Sequence, residues 1–251
     1  MAKTFRIQLY DARTGQRITG SGGALQVVTA GAYDKVSLED ADGNTLANPL
    51  SLSSGFVEFF TDDAVTTVDV YGVAPDGQAF YDTLENAEDH VITIDRAEPY
   101  QLLRIPFDID DTDTSDATEE DTGFDEPANA YFLPNPFIVV GTADATEDID
   151  VGTSSGESGD ANGFMDGVSL ANTGLATARN ALTVGSNETF LASTTLGALL
   201  QTFLAGSDAA TDVGTAEKHG HESTEKSITF TLSSGTNTGA GLICLPYLLH
   251  A

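Results

Sequence analysis

Thr4-Phe-Arg-Ile-Gln-Leu-Tyr10 sets Phe5, Ile7 and Leu9 against Thr4, Arg6 and Gln8. Strict alternation with period two is the mark of a β-strand that turns one face to a core and the other to water. Asp11-Ala-Arg-Thr-Gly15 closes the strand as a turn. Downstream, Leu25-Gln-Val-Val-Thr29, Lys35-Val-Ser-Leu-Glu39, Gly55-Phe-Val-Glu-Phe-Phe60 and Thr66-Thr-Val-Asp-Val-Tyr-Gly-Val73 repeat the pattern. His90-Val-Ile-Thr-Ile-Asp95 and Gln101-Leu-Leu-Arg-Ile105 complete it. Turns fall between them at Ala30-Gly31, Asp42-Gly43 and Pro75-Asp-Gly77, and Asp-Gly is a strong hairpin pair. Short strands at this spacing predict an all-β fold, an Ig-like β-sandwich over residues 1–107.

The other end of the chain reads the same way with longer loops. Pro134 and Pro136 punctuate its entry, and Phe137-Ile-Val-Val140 looks buried on both faces. Asp148-Ile-Asp-Val-Gly152, Ser227-Ile-Thr-Phe-Thr-Leu-Ser233 and Gly241-Leu-Ile-Cys-Leu-Pro-Tyr-Leu-Leu249 follow as strands, the last as a buried closing strand. Residues 154–167 are glycine-rich loop, and apolar spacings of three and four in residues 196–204 suggest a short helix. Long loops between paired strands predict a jelly-roll-like β domain over residues 128–251.

Charge places the boundary between the two. The chain of 251 residues has 39 acids against 10 bases, a net charge of −29. Residues 1–107 hold 16 acids and 7 bases, and residues 127–251 hold 13 and 3. Residues 108–126 hold 10 acids and no base. Like charges at that density favour an extended chain, so residues 108–127 read as an acidic linker. The same charge repels nucleic-acid backbones and anionic lipid, excluding both as partners. No apolar run is long enough to span a membrane, and the N-terminus lacks the apolar stretch of a secretion signal. Synthesis in a cytoplasm is expected, and the acid-rich, lysine-poor composition suits a saline or marine setting.

Candidate chemistry is sparse. Asp108, Asp110, Asp111, Asp113 and Asp116 carry carboxylates at spacings a calcium loop uses, but without the glycine and the bidentate Glu of an EF-hand. A solvated acidic tether is the alternative. Asp160-Ala-Asn-Gly-Phe-Met-Asp166 is a weaker calcium-like loop that equally fits an Asx-turn. His219 and His221 would share a face if extended, yet they and the remaining histidines, His90 and His250, lack companion ligands. The lone Cys244 excludes an intramolecular disulfide and sits in an apolar run as a small core residue. Neither a nucleophile elbow nor a phosphate-binding loop is present, which favours a non-catalytic protein without a cofactor.

Leu38-Glu-Asp-Ala-Asp-Gly-Asn-Thr-Leu-Ala-Asn-Pro-Leu50, followed by Ser54-Gly-Phe-Val-Glu-Phe-Phe60 and Val70-Tyr-Gly-Val-Ala-Pro-Asp-Gly77, resembles a module in virion proteins of tailed viruses. Ile149-Asp-Val-Gly-Thr, the 160–168 loop and Ala240-Gly-Leu-Ile-Cys-Leu-Pro-Tyr247 look like small virion proteins of the capsid decoration, or cement, type. The resemblance implies a non-catalytic bacteriophage structural protein on the capsid exterior, a homotrimer with the major capsid protein as partner. Residues 1–4 and the linker would be candidate docking arms. A tail-fibre or baseplate adaptor is the rival within virions. A carbohydrate-binding module is the rival outside them, and without Trp it would rely on Tyr33, Tyr71, Tyr81, Tyr100 or Tyr131.

Overall fold

In the computed structural model, described over residues 3–85, 88–95, 100–108, 118–127, 130–133, 135–177, 225–233 and 239–249, the opening alternation becomes β1 (Lys3–Asp11). It is followed by β2 (Ser21–Thr29), β3 (Leu38–Glu39), β4 (Thr45–Leu46), β5 (Leu50–Ser53), β6 (Phe56–Thr61), β7 (Thr67–Val73), β8 (Ala79–Glu85) and β9 (Asp89–Ile94). All nine belong to one hydrogen-bonded sheet. One half runs β9–β1–β6 with β3 and β4 beyond β6, and the other runs β5–β2–β7–β8. The β5–β6 hairpin joins the halves at Ser53 and Phe56. Its turn residues Ser54 and Gly55 both have positive φ, at 53° and 61°, the conformation of a two-residue type I′ turn. A Cβ on Gly55 would lie 2.5 Å from the Ile18 carbonyl oxygen, so the corner requires glycine.

The two halves enclose a single core to which Phe5, Ile7, Leu9, Leu25, Phe59 and Val70 all contribute. Phe5 stacks on Phe59 with ring centroids 5.3 Å apart. The expected strand at Lys35 to Glu39 contracts to a bridge between Val28 and Lys35 and the two residues of β3. Three strands of the first unit, β4, β5 and β8, lie outside the stretches read as strands. In β8 only Phe80 and Leu84 are buried, four residues apart, a spacing that hides the period of two.

The second unit comprises β10 (Tyr100–Asp108), β11 (Glu120–Asp125), β12 (Ala130–Phe132), β13 (Phe137–Thr142), β14 (Asp148–Thr153), β15 (Met165–Ser169), β16 (Gly174–Thr177), β17 (Ser227–Leu232) and β18 (Ala240–Leu249), with one 3-10 turn at Ser155–Glu157. Its sheets have the orders β10–β18–β13–β16 and β11–β17–β14–β15, and short β12 adds to β18. With β12 set aside, the first strand pairs with the last, the second with the seventh, the third with the sixth and the fourth with the fifth. That nesting is a jelly roll. Ile105, Phe124, Ile138, Val151, Phe164 and Ile243 are among the residues filling the space between its sheets. In β13 the inward Ile138 and Val140 are buried, whereas Phe137 and Val139 on the other face are half-buried.

The all-β, two-sandwich expectation holds, and the boundary between the units moves. The strand read as closing the first unit at residue 107 is β10, which pairs along its length with β18 and places Leu103, Ile105 and Phe107 in the second core. The stretch read as a linker over residues 108–127 contains β11, where Thr122 and Phe124 are buried between the outward acids Asp121 and Asp125. Its charge therefore includes the solvated face of a strand, and residues 109–117, outside the described residues, connect the roll's first two strands. The units are joined through residues 95–99 instead.

Candidate functional site

Of the five proposed calcium ligands, Asp108 closes β10 opposite Ala240 and is half-buried. Asp110, Asp111, Asp113 and Asp116 lie outside the described residues, as do His219, His221, His250 and the expected helix at 196–204. Among the described residues no group of three or more His, Cys, Asp or Glu side chains is placed to hold a metal ion. The 160–166 loop is organised by its backbone: the Asp160 carbonyl accepts from Thr153 N and Gly163 N, each at 2.9 Å. The Asp160 carboxylate faces the Asn162 amide at 3.4 Å, an Asx-type arrangement. Phe164 and Met165 meanwhile anchor the loop in the core. His90 lies over Phe5, with ring centroids 6.0 Å apart.

The two units meet along a buried seam. β7 is buried on both faces: Val68 and Val70 enter the first core, while Asp69, Tyr71 and Val73 face the roll. Val73 belongs to the second core outright. Gln26 Nε2 donates to the Pro106 carbonyl at 3.2 Å, and the Ala79 amide donates to Gln101 Oε1 at 3.2 Å. The Tyr247 hydroxyl donates to the Gly77 carbonyl at 2.6 Å. Tyr33 lies against Gly141 and leaves no room there for a Cβ. Burial raises the phenols of Tyr33, Tyr71 and Tyr247, and it pushes the Cys244 thiol up to about 12. The cysteine is thus held as the neutral thiol, not the thiolate that nucleophilic chemistry uses.

Where the seam meets solvent, side chains from both units line up. Tyr71 and Tyr81 lie 4.8 Å apart between ring centroids, and the Arg104 guanidinium sits 6.0 Å from the Tyr81 centroid. The buried Asp69 carboxylate accepts from the Thr83 hydroxyl at 2.6 Å and the Gly31 amide at 2.8 Å. Thr83 in turn holds the Tyr81 hydroxyl at 3.1 Å. Along β10, alternation puts Tyr100 and Leu102 on the same face as Arg104. Strand register sets Leu248 opposite Tyr100, with Tyr131 on the far side of Leu248. Tyr81, Tyr100 and Leu248 are 45%, 49% and 37% exposed, three of only five large apolar or aromatic side chains exposed among the described residues.

Elsewhere on the seam, Gly22, Gly23 and Pro75 face Gly123, Asp125 and Glu126 across a cavity of about 440 Å³. Gly123 has φ of 74°, and a Cβ there would lie 2.5 Å from Pro49, so the first unit can approach only because this residue is glycine. A shallower hollow of about 550 Å³ lies wholly within the first unit, between Thr29, Glu39 and Asp62.

No protein-family model matches this sequence, and neither does any curated protein sequence. Among solved structures, two crystal structures of BcpA, the major pilin subunit of Bacillus cereus, align with the whole chain at 8% identity and a TM-score of 0.19. The chain spans about 60% of the length of those pilin chains.

The tyrosines noted in the sequence thus divide. Tyr71 is packed away in the seam and Tyr33 is half-buried against Gly141, while Tyr81 and Tyr100 remain exposed. Arg104 was not singled out by sequence reasoning. Its signal was a cation inside an apolar strand, Gln101-Leu-Leu-Arg-Ile105, of a chain with only 10 bases.

Proposed function

We propose that this chain is a non-catalytic virion structural protein that decorates and stabilises the outer surface of an icosahedral capsid. Its partner would be the major capsid protein, and it would act as a homotrimer. The observation that carries the reading is the nested jelly-roll pairing of β10 to β18, with a second β-sandwich fastened to it through a buried seam. Jelly rolls recur in viral capsid and lectin domains, and the sequence resemblance to decoration proteins favours the first of these. A surface with −29 charge suits the outside of a particle better than a face turned to nucleic acid. The carbohydrate-binding reading loses Tyr71 as a platform because its ring is buried.

Copy number separates the virion readings. Antibodies to the purified chain should label the heads of intact particles, and quantitative mass spectrometry should find it at a stoichiometry comparable with the shell subunit. Stripped particles should lose thermal stability and regain it when the chain is added back. Labelling of tails, a handful of copies per particle, or absence from particles would sink the proposal.

A further inference from the structure

We infer that the open edge of the seam, formed by Tyr81, Tyr100, Leu102, Arg104 and Leu248, is a docking surface for a partner protein segment that presents a carboxylate among apolar side chains. The inference does not depend on the partner being a capsid subunit.

Charge complementarity identifies the occupant. In a chain with 39 acids and 10 bases, a cation has carboxylates on offer almost everywhere. Arg6 pairs with Glu58 and Asp89, and Arg13 pairs with Asp95, whereas the exposed Arg17 lies over Phe56 in solvent. Arg104 forms no ion pair with any described residue, although it is half-buried. It is instead held over the Tyr81 ring, which orients the guanidinium while no described residue engages its N–H fork, the group that makes a two-pronged contact with a carboxylate. Exposed Tyr and Arg beside aliphatic side chains is the composition of an interface hot spot.

Two further observations narrow the class. Leu102, Leu248 and Pro246 supply an aliphatic floor, which suits apolar side chains better than the hydroxyls of a sugar. The overall charge of −29 repels a densely anionic polymer, leaving a segment with an isolated acid.

The test selects displayed random dodecapeptides on the full-length chain, then measures synthetic copies of the enriched peptides by calorimetry. Enriched peptides should carry Asp, Glu or a free C-terminal carboxylate beside apolar residues. Replacing that acid by its amide should weaken binding about tenfold or more, the size of a charge-assisted bond, and Arg104→Gln should abolish the preference. Tyr100→Ser, at a ring that is 49% exposed, serves as a second variant should Arg104→Gln unfold; circular dichroism verifies both. Enriched peptides indifferent to both substitutions, or no enrichment, would overturn the inference. So would tight binding of uronic-acid oligosaccharides that Tyr100→Ser removes. Self-association in sedimentation that Arg104→Gln abolishes would replace a foreign partner with a second copy.

Discussion

β1 and β7 belong to the same sheet and alternate in the same way, yet they live in different surroundings. β1 buries Phe5, Ile7 and Leu9 on one face and leaves Arg6 and its neighbours at the surface, with Arg6 paired to Glu58 and Asp89. β7 buries Val68 and Val70 on one face and Asp69, Tyr71 and Val73 on the other. The period of two reports which residues share a face. It does not report whether the second face meets water or another unit, and for β7 it meets the roll. The polar residue on that face is accommodated because Asp69 has specific donors in Thr83 and Gly31.

If the seam is a second core, substitutions should rank by how deeply each residue is enclosed. Phe59→Ala empties the first core and should cost about 3–5 kcal/mol in denaturant unfolding; a loss below about 1 kcal/mol would mean that core is not packed as described. Gly141→Val forces a side chain against Tyr33 and should cost about 1–3 kcal/mol. It should also split one melting transition into two, whereas Phe59→Ala should not, and an unchanged single melt would reduce the seam to mere adjacency. Tyr247→Phe leaves the Gly77 carbonyl without its donor at about 1–3 kcal/mol, to be read by chemical denaturation. Arg6→Ala, on the solvent face of β1, should leave the melting midpoint nearly where it was.

Alkaline titration sharpens the same contrast. The Cys244 thiol stays neutral in the fold up to about 12, against 9.0 for an ordinary thiol. Its contribution is therefore complete below about pH 9 and is lost as pH rises toward 12. Tyr33, Tyr71 and Tyr247, raised by burial, act in the same direction. Stability measured by urea unfolding should fall across this window, and Cys244→Ala should flatten part of the fall. An equal slope in the variant would show that the thiol is ionised without penalty.

What could be read in advance follows from how local each cause is. β1 and the Asp42-Gly43 hairpin were legible because alternation and turn chemistry lie within a few residues of each other. The roll was legible in kind from long loops between paired strands. Its boundary was not, because Leu103, Ile105 and Phe107 alternate equally well for either unit, and only pairing with β18 decides between them. The acidic stretch misled for a related reason: Asp121 and Asp125 repel in sequence, but on β11 they point outward while Phe124 points in. The surface around Arg104 was invisible because it joins β8 and β10, on either side of the boundary between the units, to β18 at the far end of the chain.

Pairing the first strand of the roll with its last also sets an order of events during synthesis. Residues 3–94 contain every strand of the first unit, so that unit can close while the rest of the chain is still being made. The roll cannot, because β10 waits for β18: Tyr100 finds its neighbour only when Leu248 has left the ribosome. Until then β10 lacks the one strand it pairs with among the described residues, and the hydrophobic side chains it turns to the roll's interior stay uncovered. Contacts this distant in sequence form slowly. The earliest moments of this protein's life are therefore its most aggregation-prone, and a chain that stops short of residue 240 never leaves them.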